Sequence, residues 1–110
     1  MPQNIAEFRI IGRVGKITAR DRVTFVSVAA NYNRRDGDDW KTDTHWNSVV
    51  CFSNVATQVE AAGKGDLVHI TGRVRENQHG GAEGTDTTYR TELIADTFSI
   101  LAKASTDDAG

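Results

Sequence analysis

The stretch THWNSVVCFSNVATQVEAAGKGDLVHITGRVR, residues 44–75, changes its hydrophobic period twice. From Thr44 to Phe52 the period is two. Trp46, Ser48, Val50 and Phe52 fall on one side, and His45, Asn47, Val49 and Cys51 on the other. From Asn54 to Gly63 the period lengthens: Val55, Val59 and Ala62 recur at i, i+4 and i+7, one face of a helix. Asn54 suits an N-cap, and Gly63 or Gly65 a stop. From Asp66 to Arg75 the period returns to two. Val68, Ile70, Gly72 and Val74 point one way; Leu67, His69, Thr71, Arg73 and Arg75 point the other. This is a strand, a short helix and a strand, and it holds the one good helical pattern of the chain.

Upstream, RVTFVSVAAN, residues 22–31, is rich in β-branched side chains and apolar on both parities. It reads as a strand buried on much of both faces. EFRIIGRVG, residues 7–15, puts Phe8, Ile10, Gly12 and Val14 on one parity, another strand. NRRDGDDWKTD, residues 33–43, is polar and charged around an Asp-Gly pair, and reads as a loop or flexible hairpin tip. Downstream, ENQHGGAEGTDTT, residues 76–88, reads as a second loop. YRTELIAD, residues 89–96, closes the pattern as a strand that FSIL extends or pairs with. The tail from Lys103 is small and polar and is expected to fray. Three strands, a helix and two strands is the element order of the OB-fold, an all-β, five-stranded Greek-key barrel with one helix between strands 3 and 4. A single domain over residues 1–103 is expected, with a disordered tail over 104–110.

Composition narrows the function. The chain has 110 residues, enough for one core and too few for two. The single Cys51 excludes an internal disulfide and suits a reduced, cytoplasmic setting. No segment approaches a membrane span or a signal peptide. The net charge is −2, unevenly spread: residues 1–79 carry +2 and residues 80–110 carry −4. Catalytic readings find little support. His45, His69, His79 and Cys51 form no CxxC or HxxxH spacing, so no metal or other cofactor is expected. Cys51, between Val50 and Phe52, reads as a buried structural thiol. The glycines match no phosphate-binding loop.

Binding readings are richer. Trp46 and Phe52 share one strand face, and Arg73 and Arg75 share one on a later strand. Flat rings serve single-stranded nucleic acid because every base has a π-face, and nearby cations neutralise phosphates. Arg13, Lys16, Arg20 and Arg22 lie near the first turn; Arg34, Arg35 and Lys41 flank the Asp-Gly pair. Periodicity alone leaves Trp46 and Phe52 equally suited to a core. Trp40 reads slightly better as a loop anchor than as a ring at a groove rim. Tyr32 is open between core and surface, and Arg73 and Arg75 between a solvated face and a binding face.

In this order and spacing, IIGRVG, VTFVSVAAN, THWNSVVCFSNVA, GKGDLVHITGRVR and TTYRTELI resemble the bacterial-type single-stranded DNA-binding protein family over residues 5–101. The resemblance implies sequence-tolerant binding of single-stranded DNA in replication, recombination and repair, and assembly as a homotetramer. It places Trp46 and Phe52 at base-stacking positions and Lys64 and Arg75 at basic groove positions. Arg34 and His79 stand where the family has further stacking tryptophans. Arg13, Lys16, Arg35, Lys41 and Arg73 join Lys64 and Arg75 as the expected phosphate contacts. Ser48 replaces a usual Arg. Asn47 replaces a His that joins subunits, which leaves a dimer open beside a tetramer. The family's acidic, partner-recruiting tip has no counterpart in the last residues, so recruitment of partner proteins is not expected. The alternative function is an OB-type protein-interaction module with weak or no DNA binding.

Overall fold

In a computed structural model the chain forms a closed barrel with strand order β1-β2-β3-β5-β4. The structure describes residues 4–80 and 87–104, with the side chains of His79 and Thr87 excepted. The strands are β1 (Glu7–Arg20), β2 (Val23–Asp36), β3 (Asp39–Phe52), β4 (Leu67–Gly80) and β5 (Thr87–Ala102); the helix α1 (Ser53–Val59) lies between β3 and β4. This is the OB-fold. All strand pairs are antiparallel except β3 with β5, which run parallel and pair only at Val49–Leu93 and Val50–Ile94.

The core follows the alternation of the strands. Ile10 and Val14 from β1, Val26 and Val28 from β2, Val49 and Cys51 from β3, and Val68 and Ile70 from β4 fill it. Ala95 and Phe98 come from β5, and Val59 from the helix. Cys51 is sealed there, and burial pushes its thiol pKa up to about 11. Gly72 marks a register shift between β4 and β5. A Cβ on it would overlap the Ile94 carbonyl oxygen and sit 2.9 Å from Ala95 Cα, so only glycine allows the two backbones this close.

Several expectations are corrected. The helix spans Ser53–Val59 rather than residues 54–63, and its cap is Phe52, with no side-chain cap bond, rather than Asn54. Ser53 takes a left-handed φ of 43°, which turns the chain abruptly out of β3 and uses up the residue before Asn54. Residues 33–43 are not a loop: β2 and β3 stay paired out to Asp36–Asp39, around a two-residue turn with Gly37 at φ 66°. Residues 76–80 and 87–88 likewise belong to β4 and β5. Lys103 and Ala104 do not fray. The Lys103 ammonium donates to Ala61 O and Asp66 Oδ2, and the Ala104 N–H donates to Asp66 Oδ1 at 2.7 Å.

Asp66 therefore gathers the residues after β5, the post-helix loop and β1. Its buried carboxylate also accepts from Gly63 N, and its carbonyl accepts from Val14 N. The N–H of Ala104, the Lys103 ammonium and the Gly63 N–H hold its pKa at about 2, below the usual 3.8.

Candidate nucleic-acid interface

Two hairpin arms leave the barrel at the same end, because β3 and β5 run parallel where they meet. One arm is the far half of β2–β3; the other is the far half of β4–β5. Between them lies a cleft of about 220 Å³ lined by Phe25, Ser48 and Val50 on one side and Arg90, Thr91 and Glu92 on the other.

Cross-strand partners share a face, so register sorts the side chains of the β2–β3 arm. Thr42 bonds Asn33 and Thr44 bonds Asn31 on one face, with Ala29 opposite Trp46 and Arg35 opposite Trp40. The reverse face carries Arg34 paired with Asp43 at 2.7 Å, Lys41 paired with Asp36 at 2.9 Å, and the Tyr32 and His45 rings 5.0 Å apart. Asp36, Asp39 and Asp43 all stand on that reverse face.

The Trp46 face continues onto the barrel exterior. Ser27 lies opposite Ser48, Phe25 opposite Val50 and Val23 opposite Phe52. On β1 the same surface presents Arg13 and Lys16, which flank an irregularity at Gly15. No strand position of this exterior stripe, from Arg13 to Arg20 on β1, Val23 to Arg35 on β2 and Trp40 to Phe52 on β3, is a carboxylate. Arg13, Lys16, Arg20 and Arg35 all lie on it. In a chain of net charge −2, the alternation of the strands has made a locally positive surface.

Trp46 sits across that surface. A Cβ built on Gly15 would collide with the indole, 2.8 Å from Cη2 and closer still to Cζ3. The ring therefore rests on bare β1 backbone, and the residue remains 60% exposed. Phe52, six residues along the same strand face, is 43% exposed. Neither ring belongs to the core, where Val49 and Cys51 on the opposite parity fill the interior. Trp40 is 68% exposed and stands on the paired arm rather than in a loop.

The remaining predicted residues are dispersed. Lys64 is exposed on the post-helix loop, which Arg13 Nη1 ties to β1 through Gly65 O at 3.1 Å. Arg35 Nε donates to Gly37 O. Arg73 and Arg75 lie exposed on β4, paired with Asp96 at 3.3 Å and Glu92 at 3.0 Å. Arg34 and Lys41 are on the reverse face of the arm. The backbone of His79 pairs with Thr88, and its side chain lies outside the described residues. Arg90, which sequence reasoning passed over, lines the cleft and forms no ion pair among the described residues. Its signal was its parity with Glu92 and Ile94 in YRTELIAD. Among the described residues no group of three His, Cys, Asp or Glu side chains is placed to hold a metal ion, and no helix is long and apolar enough to cross a membrane.

The single-strand binding protein family model matches residues 5–101. The chain belongs to that family. Single-stranded DNA-binding protein 1 of Streptococcus pyogenes serotype M18 is 31% identical over 77 residues, covering 70% of this chain. The match spans 58% of that relative, less than two thirds of its length. Among solved structures, the family fold recurs in the Plasmodium falciparum SSB in complex with ssDNA, at TM-score 0.67 and 21% identity over 93% of this chain and 97% of that one. Mitochondrial Rim1 of S. cerevisiae matches at TM-score 0.68 and 22% identity, over 93% of this chain and all of that one. At these identities the structural likeness concerns the fold.

Proposed function

We propose that this family member binds single-stranded DNA, without reading its sequence, along the carboxylate-free stripe of β1, β2 and β3. The observation that carries this is the Trp46 indole. It is seated on Gly15, open on its outer side, and accompanied by Arg13 and Lys16 on a stripe whose own strand positions carry no carboxylate. A ring backed on one side offers a base a stacking partner on the other, worth roughly 1–3 kcal/mol per base. Phe52 supplies a second ring, and His79 stacks more weakly.

Arg13, Lys16, Arg35, Lys64, Arg73 and Arg75 contact phosphates in this reading, and Arg90 joins them from the cleft. Arg73 and Arg75 exchange their carboxylates for phosphate readily, because exposed ion pairs contribute only about 0–1 kcal/mol. Lys41 and Arg34, on the reverse face, act chiefly through the local field. The protein is non-catalytic, cytoplasmic and oligomeric, a tetramer or a dimer, and serves replication, recombination and repair by covering unpaired strands.

Titration with oligothymidylate while following tryptophan fluorescence tests the proposal. Quenching at low salt is expected. No quenching and no change in solution mass would leave the protein-interaction reading of the same barrel in its place.

A further inference from the structure

At the end of the barrel opposite the arms, a groove runs between the β1–β2 turn and α1. It is made of two adjoining hollows of about 250 and 350 Å³, which share Ala19, Thr24, Ala56 and Glu60. One hollow has an aliphatic lining of Ile17, Val59 and Ala62. The other carries Arg20 and Arg22, both exposed and neither in an ion pair among the described residues. Glu60 is the one carboxylate lining either hollow. Thr24 stands where the two meet. It is only 7% exposed, and its hydroxyl has no hydrogen-bond partner among the described residues. A nearly buried hydroxyl left open at a groove calls for a polar ligand group. The backbone points to the same place. Arg22 at φ 65° and Ser53 at φ 43° are the two non-glycine residues with left-handed backbone among the described residues, and both line this groove. Glycine would adopt either conformation without steric cost, and side chains kept at such positions collect at ligand sites.

We propose that this groove binds a peptide segment of a partner protein, an aliphatic side chain flanked by Asp or Glu. The aliphatic group enters the hollow of Ile17, Val59 and Ala62. The Thr24 hydroxyl bonds the segment's backbone, and Arg20 and Arg22 take the flanking carboxylates in charge-assisted bonds. The occupant is peptide rather than nucleic acid for two reasons. No aromatic side chain lines either hollow, so a base finds nothing to stack on. Glu60 repels a phosphate chain, whereas it accepts from peptide N–H groups. Two cations against one carboxylate leave the lining positive, which suits an acidic segment. The inference does not rest on the Trp46 stripe.

The test titrates the peptide acetyl-Asp-Leu-Asp-Asp-amide into the isotope-labelled full chain and follows the amide resonances of Ala56, Thr57 and Ala62. A saturable shift of these amides is expected, and none when the peptide's Leu is replaced by Ser or its Asp residues by Lys. Thr24→Val keeps the side-chain shape, removes the hydroxyl, and is expected to weaken the peptide about 2- to 10-fold. Arg22→Gly is the sharper variant. Glycine suits φ 65°, so the urea midpoint is expected to hold or rise while peptide affinity falls about 2- to 5-fold. No saturable shift in the wild type overturns the site, and so does wild-type affinity in either variant. Equal shifts from the Ser or Lys peptides overturn it too, because they remove its chemistry. If a long oligothymidylate shifts the same three amides to saturation, the groove belongs to the nucleic-acid path and the peptide reading falls. A changed solution mass in Arg22→Gly makes the groove a contact between copies, with the same result.

Discussion

Trp46 and Gly15 act as one unit although they lie on strands that do not pair with each other. The indole needs a backbone with no side chain beneath it, and the irregularity in β1 supplies one between two cations. Replacing Trp46 by Ala is expected to lower oligothymidylate affinity by about 1–3 kcal/mol, measured by anisotropy. Gly15→Ala is a sharper test. The new methyl group lifts the ring from its seat, and affinity is expected to fall by about 1 kcal/mol, part of the stacking contribution. In a Trp46→Ala background the same change is expected to cost almost nothing. A full additive loss in the double variant would place Gly15's effect in β1 itself rather than in the ring. The sequence left Trp46 at even odds between core and ligand because both parities of THWNSVVCF mix apolar and polar groups. Its own alternation could not say which side was interior. The decision is made by Val49 and Cys51, which face the barrel, and by a glycine 31 positions upstream.

At the scale of elements, the barrel strands were legible and the arms were not. RVTFVSVAAN and DLVHITGRVR carry a face that is buried, so their pattern shows. NRRDGDDWKTD has no core to face once it leaves the barrel, so neither parity is apolar and it reads as a loop. It is held instead by ladder pairing, by Asn–Thr bonds on one face and by ion pairs on the other. The helix was legible in type and in its Val55–Val59 face, but not in its ends; its start was hidden because the left-handed Ser53 leaves no trace in hydrophobic period. Gly72 governs how β4 and β5 meet. Gly72→Ala pushes a methyl group against the Ile94 backbone, which cannot yield as a side chain would. A loss of about 2–3 kcal/mol is expected, seen as a lower urea midpoint at unchanged slope. On the stripe itself, Arg13→Ala is expected to lessen the slope of log affinity against log salt by about 0.7, the amount for one phosphate on a single strand.

For the molecule as a whole, Asp66 links Lys103 and Ala104 to the first strand. Its pKa is lower in the folded chain than in the unfolded one, so the unfolded state takes up the proton first as pH falls. The stabilisation is complete above about pH 4, and drains away between there and pH 2. Thermal melts across that window are expected to show a fall in Tm that Asp66→Asn flattens, the variant starting lower at neutral pH. A wild-type and variant pair with parallel acid limbs would show that other carboxylates govern the transition.

The parallel seam of β3 and β5 is only two rungs long, Val49–Leu93 and Val50–Ile94. A ring of five strands zipped shut at so brief a latch has one natural place to part, and both arms pivot from it. A polymer gripping the two arms at once closes the latch more firmly, so amide exchange at these four residues slows on saturation with a long oligomer and is unmoved by a short one. The same two rungs that complete the wall are the shortest seam among the described strand pairs.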